Sequence, residues 1–283
     1  MAIRVYKKTT AGRRNASVNL YSEVTKKTPE KKLLEKITKS GGRNHHGVIT
    51  VQCRGGGAKR RYRRIDWSRS KEGQATVVGI EYDPNRSANI ALLEYADGER
   101  RYIIAPKGLT DGMSVVSAET AEPEVGNCMK LKSIPTGLNV HCIELQRGKG
   151  AAMCRSAGSS ARLTNKEGKW ATLVLPSGEI RQVSLECKAT IGVVGNSDHN
   201  RVTLGKAGRA RHLGKRPKTR GVARNHHDHP LGGGDGKSKG NRAPESRSGV
   251  PSKGGPTRQR GKASNKRILR RRASKRYGIL RLK

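Results

Sequence analysis

The sequence predicts an all-β protein: two small barrels of short strands set between irregular, strongly basic ends. Three observations carry that expectation. The 283 residues have a net charge of +38, yet the middle of the chain is neutral. Residues 1–72 hold 20 Lys/Arg against 5 Asp/Glu, residues 201–283 hold 26 against 3, and residues 73–200 hold 14 of each. That neutral middle is rich in Val, Ile, Leu and Ala and is cut at short intervals by turn-forming residues, which reads as strands. Helical periodicity is scarce throughout.

The elements follow in chain order. Gly47–Cys53 alternates apolar and polar residues, the mark of a half-buried strand. Ala75–Tyr82, Ile90–Tyr95 and Arg101–Ile104 come next. Asp83-Pro84-Asn85 is a turn, because Pro presets φ and Asp or Asn bonds nearby backbone. Asp97-Gly98 between two alternating runs is a hairpin signal. About five strands in roughly 75 residues match a small barrel such as an OB-fold. A second set follows Gly126: Cys128–Leu131, Asn139–Leu145, Ala161–Asn165, Trp170–Leu175, Arg181–Leu185 and Ala189–Val194. Gly168 and Ser177-Gly178 make tight turns, and the pattern is again a small closed barrel. Glu30–Thr38 suits a helical turn or two, and residues 266–275 suit another.

The expected division is a basic extension (1–41), a first barrel (42–122), a second barrel (123–200) and a basic extension (201–283). The last extension has 14 Gly and 5 Pro, and its longest apolar runs are Ile268-Leu269 and Ile279-Leu280. Such a segment cannot offset roughly 1–2 kcal/mol per residue of backbone ordering, so it is expected to order only against a partner.

The charge identifies that partner as a polyanion. Each cation that neutralises a phosphate releases counterions, so ~20 or more contacts give tight, salt-sensitive binding. A membrane surface would need an amphipathic helix with a bulky apolar face, yet Phe is absent and Trp numbers two. No run approaches the ~18 apolar residues of a membrane-spanning helix. The N-terminus is basic like a transit peptide but has no secretory apolar region, so the sequons at Asn15 and Asn85 carry no weight. Cys53, Cys128, Cys142, Cys154 and Cys187 stand alone without a C-x-x-C pair, which argues for a reducing compartment and small buried thiols.

Four stretches carry candidate chemistry. In Arg54–Arg64 (RGGGAKRRYRR), three glycines let backbone N–H groups approach phosphate beside the guanidinium forks. The alternating Arg and Tyr that follow would put charge and a stacking ring on one surface. Gly232–Ser238 imitates a phosphate loop, but the first glycine of G-x-x-x-x-G-K-S would fall on Leu231 and no apolar strand precedes it. His226-His227-Asp228-His229-Pro230 is the most enzyme-like cluster. Adjacent ligands on one short segment cannot easily surround an ion, so RNA contact is preferred to metal. Gly205–Pro217 and Lys266–Lys283 are basic tracts interleaved with small residues, as expected of an arm that threads along a polyanion.

Those stretches closely resemble the universal "L two" family of large-subunit ribosomal proteins, bacterial or organellar type. The likeness runs essentially end to end. It rests on RNHHGVITVQCRGGGAKRRYRRIDW (43–67), IEYDPNRSANIALLEYADGERRYIIAP (80–106), IPTGLNVHCIEL (134–145), LPSGEIR (175–181), GKAGRARHLGKRPKTRGVARN (205–225) and DHPLGGGDG (228–236). It implies an OB-fold followed by an SH3-like barrel, with both ends threading into ribosomal RNA. It implies a primary RNA binder that helps join the subunits and supports transfer-RNA binding and peptide-bond formation, with Asp228, His229 and Pro230 near the peptidyl-transferase region. Further implied are a monomer within the cytoplasmic ribosome, contacts to the small subunit and neighbouring ribosomal proteins, and no membrane, metal, cofactor or independent enzyme activity. Because the likeness begins near residue 1, it leaves little room for a transit peptide.

On this reading RNA meets Arg43, Asn44, Arg54, Gly55, Gly56, Gly57, Lys59, Arg60, Arg61, Arg63 and Arg64. It also meets Lys206, Arg209, Arg211, Lys215, Arg216, Arg220, Asn225, Asp228, His229, Gly232, Gly233 and Gly234. The chain departs from the family pattern at Ala58, Arg224, His226, His227, Leu231 and Ser248. A rival reading makes His229 a proton-transfer group in peptide-bond formation, since a free imidazole titrates in the right range. A third makes the chain a free nucleoid or RNA-chaperone protein.

Overall fold

The computed structural model describes residues 2–235, 242–253, 258–259, 261–274 and 278–279. The chain groups into two compact units. The first comprises Met1–Ile37, Lys59–Lys206 and Gly261–Lys283; the second comprises Thr38–Ala58 and Ala207–Arg260.

The first unit is built on one hydrogen-bonded ribbon of eleven strands. Its order is Ile268–Arg270, Ile180–Ser184, Trp170–Val174, Ala161–Glu167, Asn139–His141, Lys188–Ile191, Cys128–Lys130, Ser114–Ser117, Gly73–Glu81, Ile90–Tyr95 and Arg100–Ile104. Every step is antiparallel except Ser117 to Cys128, a single parallel pair that is the seam between the two barrels. The fold is all-β, an OB-type barrel followed by an SH3-like one.

The first barrel is buried on both faces of its central hairpin. Ile90, Leu92, Tyr102 and Ile104 join Ile65, Ala88 and Val194 in one apolar cluster. The intervening Ala91, Leu93, Tyr95, Ile103 and Ala105 join Ala75, Val77, Leu109 and Val115 in another. Two-residue alternation sends neighbours to opposite faces, so a strand covered on both sides needs the unbroken apolar run seen in Ile90–Leu93. Gly98, at φ 75°, closes the hairpin as expected. The second barrel has one core, in which Met129, Leu131, Ile134, Val140, Ile143, Leu163, Leu173 and Ile191 are buried.

Most strand positions in the second barrel match the sequence expectation within a residue or two. The stretch expected as Ala189–Val194 ends at Ile191, the strand Ala151–Met153 lies outside the expectation, and one expected strand is interrupted. The stretch expected as Asn139–Leu145 breaks at Cys142, whose φ of 48° ends Asn139–His141 and starts Ile143–Glu144. Three expectations are corrected. Gly47–Cys53 is not a strand: Gly47 turns at φ 77°, and Val48, Ile49 and Val51 are exposed. Alternation makes a strand only where there is an edge to pair with and an apolar face to cover. Glu30–Thr38 gives one short 3-10 turn, Lys31–Leu33, before the strand Leu34–Lys36 pairs with Arg61–Arg63.

Of residues 266–275, expected as a helical turn, Lys266 and Arg267 are helical only as the end of a short 3-10 turn, and Lys275 lies outside the described residues. After the 3-10 turn Ala263–Arg267, the strand Ile268–Arg270 pairs with Ile180 and Arg181. Ile268 is buried there, and the Arg267 guanidinium lies 3.4 Å from the Trp170 ring centroid. This part of the basic extension therefore orders against the chain's own barrel. Within the tract Lys266–Lys283, residues 275–277 and 280–283 lie outside the described residues.

His141 sits beside the seam, fully buried, with Nδ1 3.1 Å from the Gly192 carbonyl oxygen. Burial, reinforced by the nearby Arg69 guanidinium, outweighs that carbonyl and pushes its pKa down to about 4. A depressed histidine is neutral in the folded state, so its contribution to stability is complete above about pH 6.5 and is lost as the pH falls towards 4. Urea unfolding should therefore show up to about 3 kcal/mol of destabilisation across that window. His141→Gln should flatten the pH dependence, and an unchanged slope in the variant would remove His141 as its source.

Candidate nucleic-acid interface

In the second unit the two most basic glycine-bearing tracts lie backbone to backbone. Gly55 N–H donates to the Gly214 carbonyl at 3.1 Å, Ala58 N–H to His212 at 3.0 Å, and Arg216 N–H to Cys53 at 2.9 Å. The approach leaves no room for a side chain. A Cβ on Gly57, already at φ 79°, would stand 2.7 Å from Gly214 N and 2.8 Å from the His212 carbonyl oxygen. Lys39 Nζ donates to the Gly56 and Gly57 carbonyls at 3.1 and 2.9 Å. The facing segment begins as the helix Ala207–His212, with Arg209, Arg211 and His212 in its last turn, where cations complement the helix dipole. Gly214, at φ 80°, ends it.

The histidine loop is a second tight knot. The Asn225 carbonyl accepts from Asp228 N–H at 3.1 Å and His229 N–H at 3.2 Å. A Cβ on Gly232 would stand 2.4 Å from that same oxygen. Gly221 makes room for the His229 ring, since a Cβ there would lie 2.4 Å from its Cε1. Leu231 N–H donates to His229 Nδ1 at 3.1 Å. With Nδ1 accepting, the neutral ring carries its proton on Nε2, so that edge donates rather than accepts. Gly233 N–H donates to the Arg224 carbonyl, while Gly234 is exposed. His227 Nε2 lies 3.6 Å from Asp228 Oδ2, with both side chains exposed. No group of three His, Cys, Asp or Glu among the described residues could hold a metal ion. Gly236, Lys237 and Ser238 lie outside the described residues.

Between these knots runs a groove lined by Ile49, Val51, Arg54, Lys215, Arg216, Lys218, Arg220, Arg224, His229, Glu245 and Arg247, among others. Its lining holds seven Arg or Lys against one acid. Ile49 and Val51, exposed in this lining, are not among the residues the sequence singles out, because alternation reads them as core. Arg43 is exposed, and its backbone bridges to Ile49. Asn44 is used locally: its Oδ1 accepts from His46 N–H at 3.1 Å and Val48 N–H at 3.0 Å, holding the turn.

The remaining candidates belong to the first unit. Lys59, Arg60, Arg61, Arg64 and Lys206 are exposed. Arg63 turns inward: its side chain is 12% exposed and lies 3.9 Å from the buried Asp83 carboxylate. Asp83 is also bonded by Arg86 Nε at 2.6 Å. The Arg86 guanidinium lies over both the Tyr62 and Trp67 rings, at 5.6 and 5.4 Å, so Tyr62 already has a cationic neighbour.

Two family models match. "Ribosomal Proteins L2, RNA binding N-terminal domain" covers residues 30–117, and "Ribosomal Proteins L2, C-terminal domain" covers residues 124–249. The chain is 57% identical to "Large ribosomal subunit protein uL2" of Rhodopirellula baltica, over 100% of this chain and 99% of the relative. The chain belongs to the ribosomal protein L2 family. It is also 54% identical to "Large ribosomal subunit protein uL2" of Salinibacter ruber, over 98% and 99% of the two chains. The L2 resemblance drawn from the motifs is therefore confirmed over the full length. Of the departures from the usual L2 pattern, His226 and His227 stand edge to face with ring centroids 5.7 Å apart. Leu231 supplies the backbone N–H that holds His229.

Arg61 is exposed while Arg63 faces the buried Asp83, so the two residues carry different expectations. Arg61→Ala should weaken RNA binding and reduce the slope of log K against log salt by about 1. Arg63→Ala should leave that slope unchanged and lower stability by about 1–2 kcal/mol, because Asp83 loses a buried neighbour. Filter binding across a salt series, paired with urea unfolding, distinguishes them.

Proposed function

We propose that this chain is a structural RNA-binding protein of the large ribosomal subunit, in which two folded barrels orient two basic arms on ribosomal RNA. The observation that carries the reading is the backbone pairing of 53–58 with 212–216, which makes one cationic surface from two basic tracts in a chain of the L2 family. The roles divide as a basic extension (1–41), an OB-fold (42–122), an SH3-like barrel (123–200) and a basic extension (201–283). Exposed Arg and Lys take phosphates, while the glycine backbones and the Asn225–Gly234 loop fit close against RNA. Shape and 2′-hydroxyl contacts suffice for such binding without base reading. The protein acts as a monomer in the cytoplasmic ribosome beside other ribosomal proteins, and supports subunit association, transfer-RNA binding and peptide-bond formation.

The scaffold reading is favoured over proton transfer by His229. Its Nδ1 is occupied by Leu231 N–H, and a proton acceptor in the reaction would have to be the edge that already carries the proton. The protein should sediment with large subunits after a moderate salt wash, and recovery only as free protein would defeat the assignment. His229→Ala particles that assemble fully should retain peptidyl transfer within about twofold. A loss of 10²-fold or more, the scale of general acid–base catalysis, would reinstate the catalytic reading.

A further inference from the structure

The groove of the second unit has two unlike walls. One is aliphatic: Ile49 and Val51 are 45% and 49% exposed, and Val48 beside them is 59% exposed. The other is cationic, formed by Lys215, Arg216, Lys218 and Arg220. The aliphatic wall is fixed in place by its backbone. Thr50 and Val51 N–H both donate to the Gly42 carbonyl, at 3.0 and 3.1 Å, and a Cβ on Gly42 would stand 2.1 Å from the Val51 oxygen. Exposed apolar side chains held rigid in this way, rimmed by charge, mark a surface that meets something apolar.

Duplex RNA does not use such a wall. Its base faces are stacked inside the helix, and it offers the groove only phosphates, riboses and base edges. An unpaired strand offers an anionic phosphate and an apolar base face in every nucleotide, which matches the two walls together. The sevenfold excess of cations in the lining sets the charge of the occupant.

Resting on the RNA-binding reading above, we infer that this groove holds an unpaired RNA segment. Its base faces lie against Ile49 and Val51, and its phosphates lie along Lys215, Arg216, Lys218 and Arg220. The wall is aliphatic rather than aromatic, so the contact tolerates any base, and the site selects unpaired structure rather than sequence.

The test uses the full chain and fluorescence anisotropy with two labelled RNAs of equal length: one fully paired, one a stem carrying a long unpaired internal loop. The unpaired RNA should bind more tightly. The double variant Ile49→Ser, Val51→Ser should lose roughly tenfold for it, about the worth of one stacked base, and nothing for the duplex. Arg216→Ala should weaken both. An unchanged urea midpoint in the double variant confirms that exposed positions alone were altered. Equal binding of the two RNAs, or a double variant that loses the same factor on both, overturns the inference while leaving RNA binding standing. Failure to bind either RNA overturns the functional reading itself.

Discussion

Two tracts of the same charge cannot hold one another by their side chains, and the arrangement of the basic surface depends on how this repulsion is met. Between residues 53–58 and 212–216 it is met by main-chain hydrogen bonds, which are indifferent to side-chain charge. Those bonds depend on glycine: a Cβ on Gly57 would collide with the facing backbone, and Gly214 turns the chain at a φ of 80° that side chains rarely adopt. With the backbones locked, the Arg and Lys side chains need no neutralising partner within the protein and remain available to a polyanion. Glycine here is a condition for bringing like charges together, more than a source of flexibility.

The acids are distributed to the same end. In the first unit most carboxylates are committed to internal pairs. Glu81 meets Lys26 and the Tyr102 hydroxyl, Asp83 meets Arg86 and Arg63, and Asp66 meets Arg101. Glu119 and Glu186 converge on Lys130. Burial by itself would raise the Asp66 carboxyl, but hydrogen bonds from Arg101, the Arg69 backbone and Ser68 hold it below the usual carboxylate range. The exposed pairs contribute little individually. Their collective effect is to neutralise the barrels, so that the positive potential belongs to the arms and loops alone. Residues 201–283 contain only three acids, Asp228, Asp235 and Glu245.

Much of this was legible in the chain. The hairpin at Asp97-Gly98 and the apolar run Ile90–Leu93 rest on local rules, namely turn chemistry and side-chain alternation, and stand where those rules put them. So does most of the strand rhythm after Gly126, apart from the break at Cys142, the early end at Ile191 and the unexpected strand Ala151–Met153. Local rules fail where a partner decides the outcome. Gly47–Cys53 alternates like a strand but has no sheet edge to join. Ile268–Arg270 reads as part of a basic helix but finds an edge at Ile180 and Arg181 with a place for Ile268 to bury. Arg63 reads as one more cation for phosphate, yet it is drawn inward by Asp83, twenty residues away in the chain. His229 reads as a free imidazole, and the turn that follows it occupies one of its nitrogens.

By itself the sequence determined the class of fold, the polyanionic partner, the family and the tracts that carry the charge, because composition, short-range turn chemistry and long shared motifs are properties of neighbouring residues. The tertiary structure alone decided which of those charges face outward, that the glycine loop and the distant arm form one surface, and that exposed aliphatic side chains share one groove with the cations. These depend on which backbones can approach closely enough to bond and which side chains find a buried partner, and such distances are set only when the chain is folded.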